Sequence, residues 1–484
     1  MAGSVDMFVR GVDAGKECKG GVSRQWLHES SLFALAIVVP MVMQAPGAYA
    51  ETISGALAKS YGFSPDLNQQ RAATRAADEG VPRATAGWRP TVTATSSIGS
   101  SQNRIVNSGR LQQDTNTLPR VNSVAMTQTL YNGGRTGNTV RQAESTILQS
   151  RETLRLSEQQ TLLNAATAYM NVLRDTAILE LQNNNVQVLK EQLNQTQNRF
   201  QVGEVTRTDV AQSEASLAQG QASAVTARFN LQNSMASYRQ YIGDQPRNLE
   251  PARPVEPLLP RSLEAAIALG QKHHPQIQAA LHAVDVAALA VTVQEGALLP
   301  TLTATGTATV NREPSGFPNY QSKVFAAVAS LSVPLYEGGA TYAAIRQAKE
   351  QLGQARLNAD LQRESIRSLA TSAWGSFETS KLTILSYQAQ VRANEIALNG
   401  VREEAKVGQR TTLDVLNAQQ TLLSSRVNLV TAQRDQVVFS YNLLSATGQL
   451  SVGTLGLRVP TYDPNLHYDQ VKGKWIGTRT PDGN

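Results

Sequence analysis

Two hexamers decide the reading of this chain: TLYNGG, from Thr129 to Gly134, and PLYEGG, from Pro334 to Gly339. They lie 205 positions apart, and their flanks agree: Arg141-Gln142-Ala143 answers Arg346-Gln347-Ala348. VGEVTRTDV from Val202 returns as VGQRTTLDV from Val407, so that Asp209 pairs with Asp414, and Gly243 pairs with Gly448. Upstream the offset is 210, with Pro65 matching Pro275 and Pro90-Thr91 matching Pro300-Thr301. The change of five falls inside a hairpin, where loop insertions are tolerated. The units are too long for a solenoid repeat and read as a duplicated domain. The division expected is residues 51–245, a proline-rich linker over 246–260, residues 261–450, and a tail over 451–484.

The N-terminus reads as a processing signal. An apolar run of 12 residues, Leu32 to Met43, follows Arg24 and ends in AYAE, which implies cleavage after Ala50. Residues 1–50 are thus expected to be removed as a signal peptide with an N-terminal extension; Met7 is an alternative start. The run is too short to span a bilayer. The one cysteine, Cys18, lies in the removed part. The mature chain, starting at Glu51, would have no thiol, disulfide or thioether lipid anchor, which closes thiolate chemistry. The formal charge of +6 survives cleavage, but the basic residues are scattered, and no nucleic-acid partner is expected. No run of 18 apolar residues follows the signal, so a membrane-spanning helix is not expected, whereas a barrel remains open.

Each unit reads as helix, strand, loop, strand, long helix, turn, helix. Thr301 to Val310 alternates strictly: Thr301, Thr303, Thr305, Thr307 and Thr309 share one face, and Leu302, Ala304, Gly306, Ala308 and Val310 the other. TVTATSSI from Thr91 repeats the pattern, and the return strand from Val324 to Tyr336 places Phe325, Ala327, Ala329, Leu331, Val333 and Leu335 together. The hairpins are expected at about 90–131 and 300–336, with polar loops from Gln102 to Arg120 and from Asn311 to Ser322. Strands of ~10 residues can cross a bilayer at a tilt; they also suit hairpins of a soluble sheet. Four strands cannot close a barrel, and open edges cannot face lipid. In a membrane, copies of the chain would have to complete the barrel, with 8 strands for a dimer or 12 for a trimer.

The helices are long. Arg135 to Phe200 contains no proline and only Gly137 as glycine, and would span ~100 Å if straight. Apolar residues recur every seven positions: Val172, Leu179, Val186, Leu193 and Phe200, answered by Phe377, Ile384, Val391, Leu398 and Ala405. That period implies a left-handed supercoil. Most other positions are polar or small, which fits a wall one helix thick. Long helices over 135–200 and 340–406 stop at Gly203 and Gly408. Return helices over 206–243 and 411–446 start at Thr206 or Thr208 and at Thr411 or Thr412. The hexamers therefore mark the crossing from sheet to helix. Gly133-Gly134 and Gly338-Gly339 give the permissive backbone, and Tyr131 and Tyr336 fall at strand ends, where aromatic rings favour a membrane interface.

With the paired LYxGG junctions, the VGxxTxxDV turns and the Pro-Thr strand entries in hand, the chain resembles the TolC family of bacterial outer-membrane efflux and secretion proteins. The resemblance covers about residues 51–450. It implies an α+β membrane protein: a homotrimer whose 12-stranded outer-membrane β-barrel continues into a coiled-coil α-helical tunnel across the periplasm. It also implies outer-membrane lipid around the barrel, and as partners a periplasmic adaptor (membrane fusion) protein and an inner-membrane RND pump or ABC exporter. Multidrug efflux is the first function implied, and type I protein secretion the alternative. The periplasmic latch falls on Asp209 and Arg410, with Ala405 where the family has a tyrosine. The family's luminal aspartate rings fall on Asp414 and Asn417, so that the ring charge is halved. Asp209 and Asp414 also suit simple helix caps.

The rivals are an enzyme and a soluble periplasmic coiled-coil adaptor. No G-x-S-x-G, H-E-x-x-H or P-loop pattern occurs. The histidines (His28, His273, His274, His282 and His467) lack zinc-site spacing. No catalysis, metal or cofactor is expected. An adaptor would not need four alternating strands or two sheet-to-helix junctions. The tail fits either an ordered strap or a flexible end.

Overall fold

The structure is a computed structural model and describes residues 50–481. The expected signal segment, with Met7, Cys18 and His28, lies outside the described residues. Three short helices, α1 (Ile53–Phe63), α2 (Pro65–Asp78) and α3 (Gly80–Thr85), lead into strands β1 (Thr91–Ile98), β2 (Ser101–Asn107), β3 (Arg110–Thr117) and β4 (Arg120–Asn132). Then come α4 (Arg135–Gln201) and α5 (Arg207–Ile242). The second unit repeats the order with α6 (Leu263–His273), α7 (Pro275–Glu295), β5 (Thr301–Arg312), β6 (Gln321–Ser332), α8 (Ala340–Lys406) and α9 (Thr412–Ala446). A last helix, α10 (Pro464–Val471), lies in the tail.

The two hairpins merge into one antiparallel sheet in the order β1-β4-β5-β6, because β4 of the first unit pairs with β5 of the second. The register sorts the side chains into two faces. Val124 lies between Ala94 and Ala308, and Ala308 faces Phe325. Met126 lies between Val92 and Gly306, and Gly306 faces Ala327. These rows make an apolar face. On the other face Thr127 joins Thr91 and Thr305, and the odd-numbered threonines of β5 continue the row. β6 adds Val324, Ala326 and Val328 to that second face, so the hydroxyl row is carried by β1, β4 and β5; a sheet apolar on one side and hydroxyl-rich on the other suits a wall between lipid and water. Among the described residues β1 and β6 are edges.

Two expectations are corrected. The stretch from Gln102 to Arg120 is not an irregular loop: β2 and β3 pair into a second hairpin around Ser108-Gly109, both at positive φ (50° and 80°). Two left-handed residues in a two-residue link match the twist of antiparallel strands. The extra length of the first unit lies in this extension. The return strand of the second unit also ends early, at Ser332, and Tyr336 falls in the segment beyond it. Pro334 lies in that segment and has no N–H to give to a ladder.

Both long helices have 67 residues. α4 packs on α5 and α9 and, nearer the sheet, on α2 and α7; α8 packs on α9, α6 and α7. The main core joins Leu162, Tyr169 and Val172 of α4 to Tyr238 and Ile242 of α5 and to Val437, Tyr441 and Leu444 of α9. Within Leu263–Leu298 an 18-residue stretch reaches mean hydropathy 1.4, enough by length and composition to cross a membrane. The segment is broken at His274-Pro275 and lies against α4 and α8 instead.

The described part of the tail is tied to the helices. Val452 N–H donates to Glu158 (2.9 Å), Tyr462 N–H to the Tyr61 hydroxyl (3.1 Å), and Arg151 to Asn465 (2.8 Å). His467 meets the buried Asp78 at 3.0 Å, and burial pushes the Asp78 carboxyl up. Arg89 donates to the Lys474 carbonyl (2.8 Å) and lies over the Trp475 ring. The strap crosses from α1, α2 and α4 to the turn before β1.

Candidate functional site

The two helix turns farthest along the chain from the sheet are built alike. α4 ends at Gln201, and Gly203 turns the chain at φ 81°; α8 ends at Lys406, and Gly408 does the same at φ 79°. Neither glycine has a neighbour within 4 Å of an added Cβ, so the requirement is conformational. The next helix starts on a reciprocal cap. Asp209 Oδ2 accepts from the Thr206 N–H (2.9 Å) and hydroxyl (2.7 Å), and the Asp209 N–H donates back to Thr206 Oγ1 (3.3 Å). Asp414 and Thr411 repeat this at 3.0, 2.8 and 3.2 Å. Thr206 and Thr411, among the candidates, are the caps.

Hydrogen bonds to the charged form lower both carboxyls below the usual aspartate range, from the Thr206 hydroxyl first for Asp209 and from the Thr411 N–H first for Asp414. The turns differ in one ion pair. In the first, Arg199 on the helix reaches Glu204 in the loop (3.1 Å); in the second, Glu404 on the helix holds Arg410 in the loop (2.9 Å). Arg199 and Glu404 occupy matching positions, so the polarity of the tie is reversed. Within one chain Asp209 and Arg410 are therefore not brought together: each has its own partner. Both cap bonds use Asp209 Oδ2, and Oδ1 has no hydrogen-bond partner among the described residues.

Asp414 and Asn417 are three apart on α9 and share a face. That face continues in sevens through Thr421, Asn428 and Asp435, a polar thread that the sequence reading missed although its spacing was visible. Farther along, Asn428, Thr431 and Asp435 meet Ser372, Ser376, Thr379 and Thr383 of α8 around a recess of 530 Å³. Such a surface offers hydrogen bonds to water without a strong site for any one solute.

At the other end lie the junctions. Gly133 and Gly134 have φ 68° and 73°, and Gly338 and Gly339 have φ 63° and 86°. A Cβ on Gly133 would sit 2.2 Å from the Gly296 carbonyl oxygen, while one on Gly338 would meet nothing. The first junction is thus buttressed by the turn after α7, and the second is open. An irregularity in β4 between Thr129 and Tyr131 brings Tyr131 beside Leu302, in the row that ends at Leu331. Tyr336 is 79% exposed. Among the described residues no group of His, Cys, Asp or Glu could hold a metal ion.

The family model described as outer membrane efflux protein matches residues 57–244 and 267–449. The chain is 39% identical over 453 residues to outer membrane efflux protein BepC of Brucella suis, covering 93% of this chain and 97% of the relative. It is 28% identical to outer membrane protein TolC of Escherichia coli over 61% of this chain and 63% of that one. To alkaline protease secretion protein AprF of Pseudomonas aeruginosa it is 27% identical, over 64% and 66%. Among solved structures, the Campylobacter jejuni CmeC outer membrane channel superposes with a TM-score of 0.73 at 17% identity, over 87% of this chain and 89% of that one.

Proposed function

The chain belongs to the outer membrane efflux protein family, and on that premise we propose that it forms the exit duct of a tripartite pump. The duct carries drugs or other small amphipathic compounds across the periplasm and the outer membrane. The observation that carries this reading is the sheet: four strands, apolar on one face and rich in the threonines of β1 and β5 on the other, with both edges unpaired among the described residues and each hairpin continuing into a 67-residue helix. Unpaired edges are not tolerated in lipid. Three copies, β6 of one beside β1 of the next, close a 12-stranded barrel.

The helices support the same ring. α5 turns Val225 and Phe229 away from α4, and α8 exposes Leu361, Leu382 and Ile396, which fall on one heptad thread opposite its packed seam. These are the flanks that neighbouring protomers would cover. The ring is a homotrimer; a periplasmic adaptor and an inner-membrane RND pump or ABC exporter complete the path, and residues 1–50 leave on export. At the periplasmic end, closing the ring sets Arg410 against Asp209 Oδ1 of an adjoining turn as a latch. Three copies of Asp414, with Asn417 one turn deeper, form a cation-attracting constriction. No residue acts as a catalyst.

Likeness to a relative named for protease secretion supports a second reading, the outer-membrane component of a type I secretion system. One experiment tests both. A deletion strain should become sensitive to several unrelated amphipathic compounds; loss of a secreted protein with drug tolerance intact selects the second reading. Unchanged tolerance and an unchanged secretome, with no redundant paralogue, contradict both.

A further inference from the structure

The apolar face of the sheet carries charge at one end only. The register places Arg120 of β4 directly beside Arg312 of β5. One same-face row further from the strand ends, Lys323 of β6 lies beside Val310, which in turn lies beside Asn122. All three cations are exposed, none has an ion-pair or hydrogen-bond partner among the described residues, and by parity all three project from the apolar face. They stand at the end of the sheet that carries the β2–β3 extension. The helices leave from the opposite end.

Below them the same face is hollow. A trough of about 490 Å³ is floored by Gly306, Ala308 and Ala327 and walled by Val124 and Met126 on one side and by Phe325 on the other. An added Cβ at Gly306 would meet nothing within 4 Å, so the hollow is real space. Along the strand, Gly306 lies ~20 Å from Arg312 at ~3.4 Å per residue. That is the span of an extended acyl chain hanging from a headgroup at the level of the arginines. Unpaired cations on a lipid-facing surface at the interface attract anionic headgroups, and two adjacent guanidinium groups match a phosphate in geometry as well as in charge.

We propose that this face is a binding site for a phospholipid of net negative charge in the outer leaflet, with its phosphate on Arg120, Arg312 and Lys323 and one acyl chain in the trough over Gly306. The site rests on the reading of the sheet as a lipid-facing barrel wall. The bilayer there would be held at a fixed depth against the barrel by named contacts rather than by general hydrophobicity.

The test is native mass spectrometry of the full mature assembly in detergent, titrated with phosphatidylglycerol or phosphatidylcholine of equal chain length. Wild type should retain phosphatidylglycerol at least about ten-fold better. Arg120→Gln/Arg312→Gln/Lys323→Gln should abolish that preference. Gly306→Leu, which fills the trough, should weaken retention of a long-chain phosphatidylglycerol while sparing a six-carbon one. Equal retention of the two lipids by wild type overturns the site, as does a preference that survives the triple variant. Displacement of the lipid by equimolar inorganic phosphate also overturns it, because the site would then read phosphate alone. Conductance of each variant in a planar bilayer is measured in parallel. A protein that conducts but shows no lipid preference refutes the site and leaves the channel standing; one that never conducts refutes the channel reading.

Discussion

α5 and α9 occupy matching places in the duplication and start on the same reciprocal cap, yet they are buried differently. α5 meets α4 through small residues seven apart: Ser213, Gly220, Ala227 and Ser234 are its buried positions along most of its length. A Cβ on Gly220 would come within 2.8 Å of the Leu189 side chain, so the seam depends on smallness there. α9 is packed on two flanks. Val415 and Leu422 join Leu398 of α8, and Val437, Tyr441 and Leu444 join the core around α4. A duplicated sequence has met unequal neighbours. The inequality leaves α5 with an open flank, which in the proposed ring the next copy of the chain would cover.

The largest effect is expected from charging these two helices in turn. Val225→Asp with Phe229→Asp should leave the protomer helical and dissolve the ring, because both side chains face outward. Leu444→Asp should unfold the protomer itself, since Leu444 is fully buried and burying an unpaired carboxylate costs several kcal/mol at least. Circular dichroism and scattering mass separate the outcomes. If both variants behave alike, α5 is not a free edge.

The next largest concerns the strap. Asp78 is buried, its carboxyl is pushed up by that burial, and His467 is its hydrogen-bond partner. Removing the partner of a buried hydrogen-bonding group leaves that group unsatisfied, which typically costs ~1–3 kcal/mol. His467→Ala should lower the thermal transition sharply at pH 7, and adding Asp78→Asn should recover much of the loss. A neutral His467→Ala variant would mean that the strap is not held by this pair.

His274 gives the second unit a pH dependence. Its Nδ1 accepts the Gln276 N–H as the cap of α7 (3.2 Å), and burial lowers its pKa to about 4. The folded state thus binds the proton later than the unfolded state does. Stability is full above about 6.5 and is lost as pH falls toward 4, by up to roughly 3 kcal/mol. His274→Asn keeps a capping acceptor and should flatten that slope in thermal melts between pH 7 and 4. The matching position in the first unit, Ser64, also caps its helix but does not titrate in this range.

Much of this was legible in the letters. The two LYxGG hexamers placed both sheet-to-helix crossings, and proline-free runs with sevens placed both long helices to within a residue or two. The β2–β3 extension was not legible, because its strands are polar and lack the β-branched alternation that marks a half-buried strand. Pairing of β4 with β5 was also out of reach, since a contact between units leaves no mark in either one. At the turns the sequence offered two roles for Asp209 and Asp414. The single chain supplies the cap in full, while the proposed latch would need a second chain. Arg410 had a competitor in Glu404 that was visible only once the loop had closed.

The smallest effects lie in those turns. Thr206→Ala and Thr411→Ala should each cost ~1 kcal/mol of helix-start stability. If the turns also gate, Asp209→Ala with Arg410→Ser should raise single-channel conductance, and Asp414→Ala should lower cation selectivity with assembly intact. Unchanged conductance and selectivity would leave the turns as caps alone.

The central claim is that one chain supplies one third of a closed wall. Multi-angle light scattering of the detergent-purified mature protein, corrected for bound detergent, tests it most directly. The account requires a protein mass of three chains; a mass of one or two chains in a particle that still conducts would contradict it.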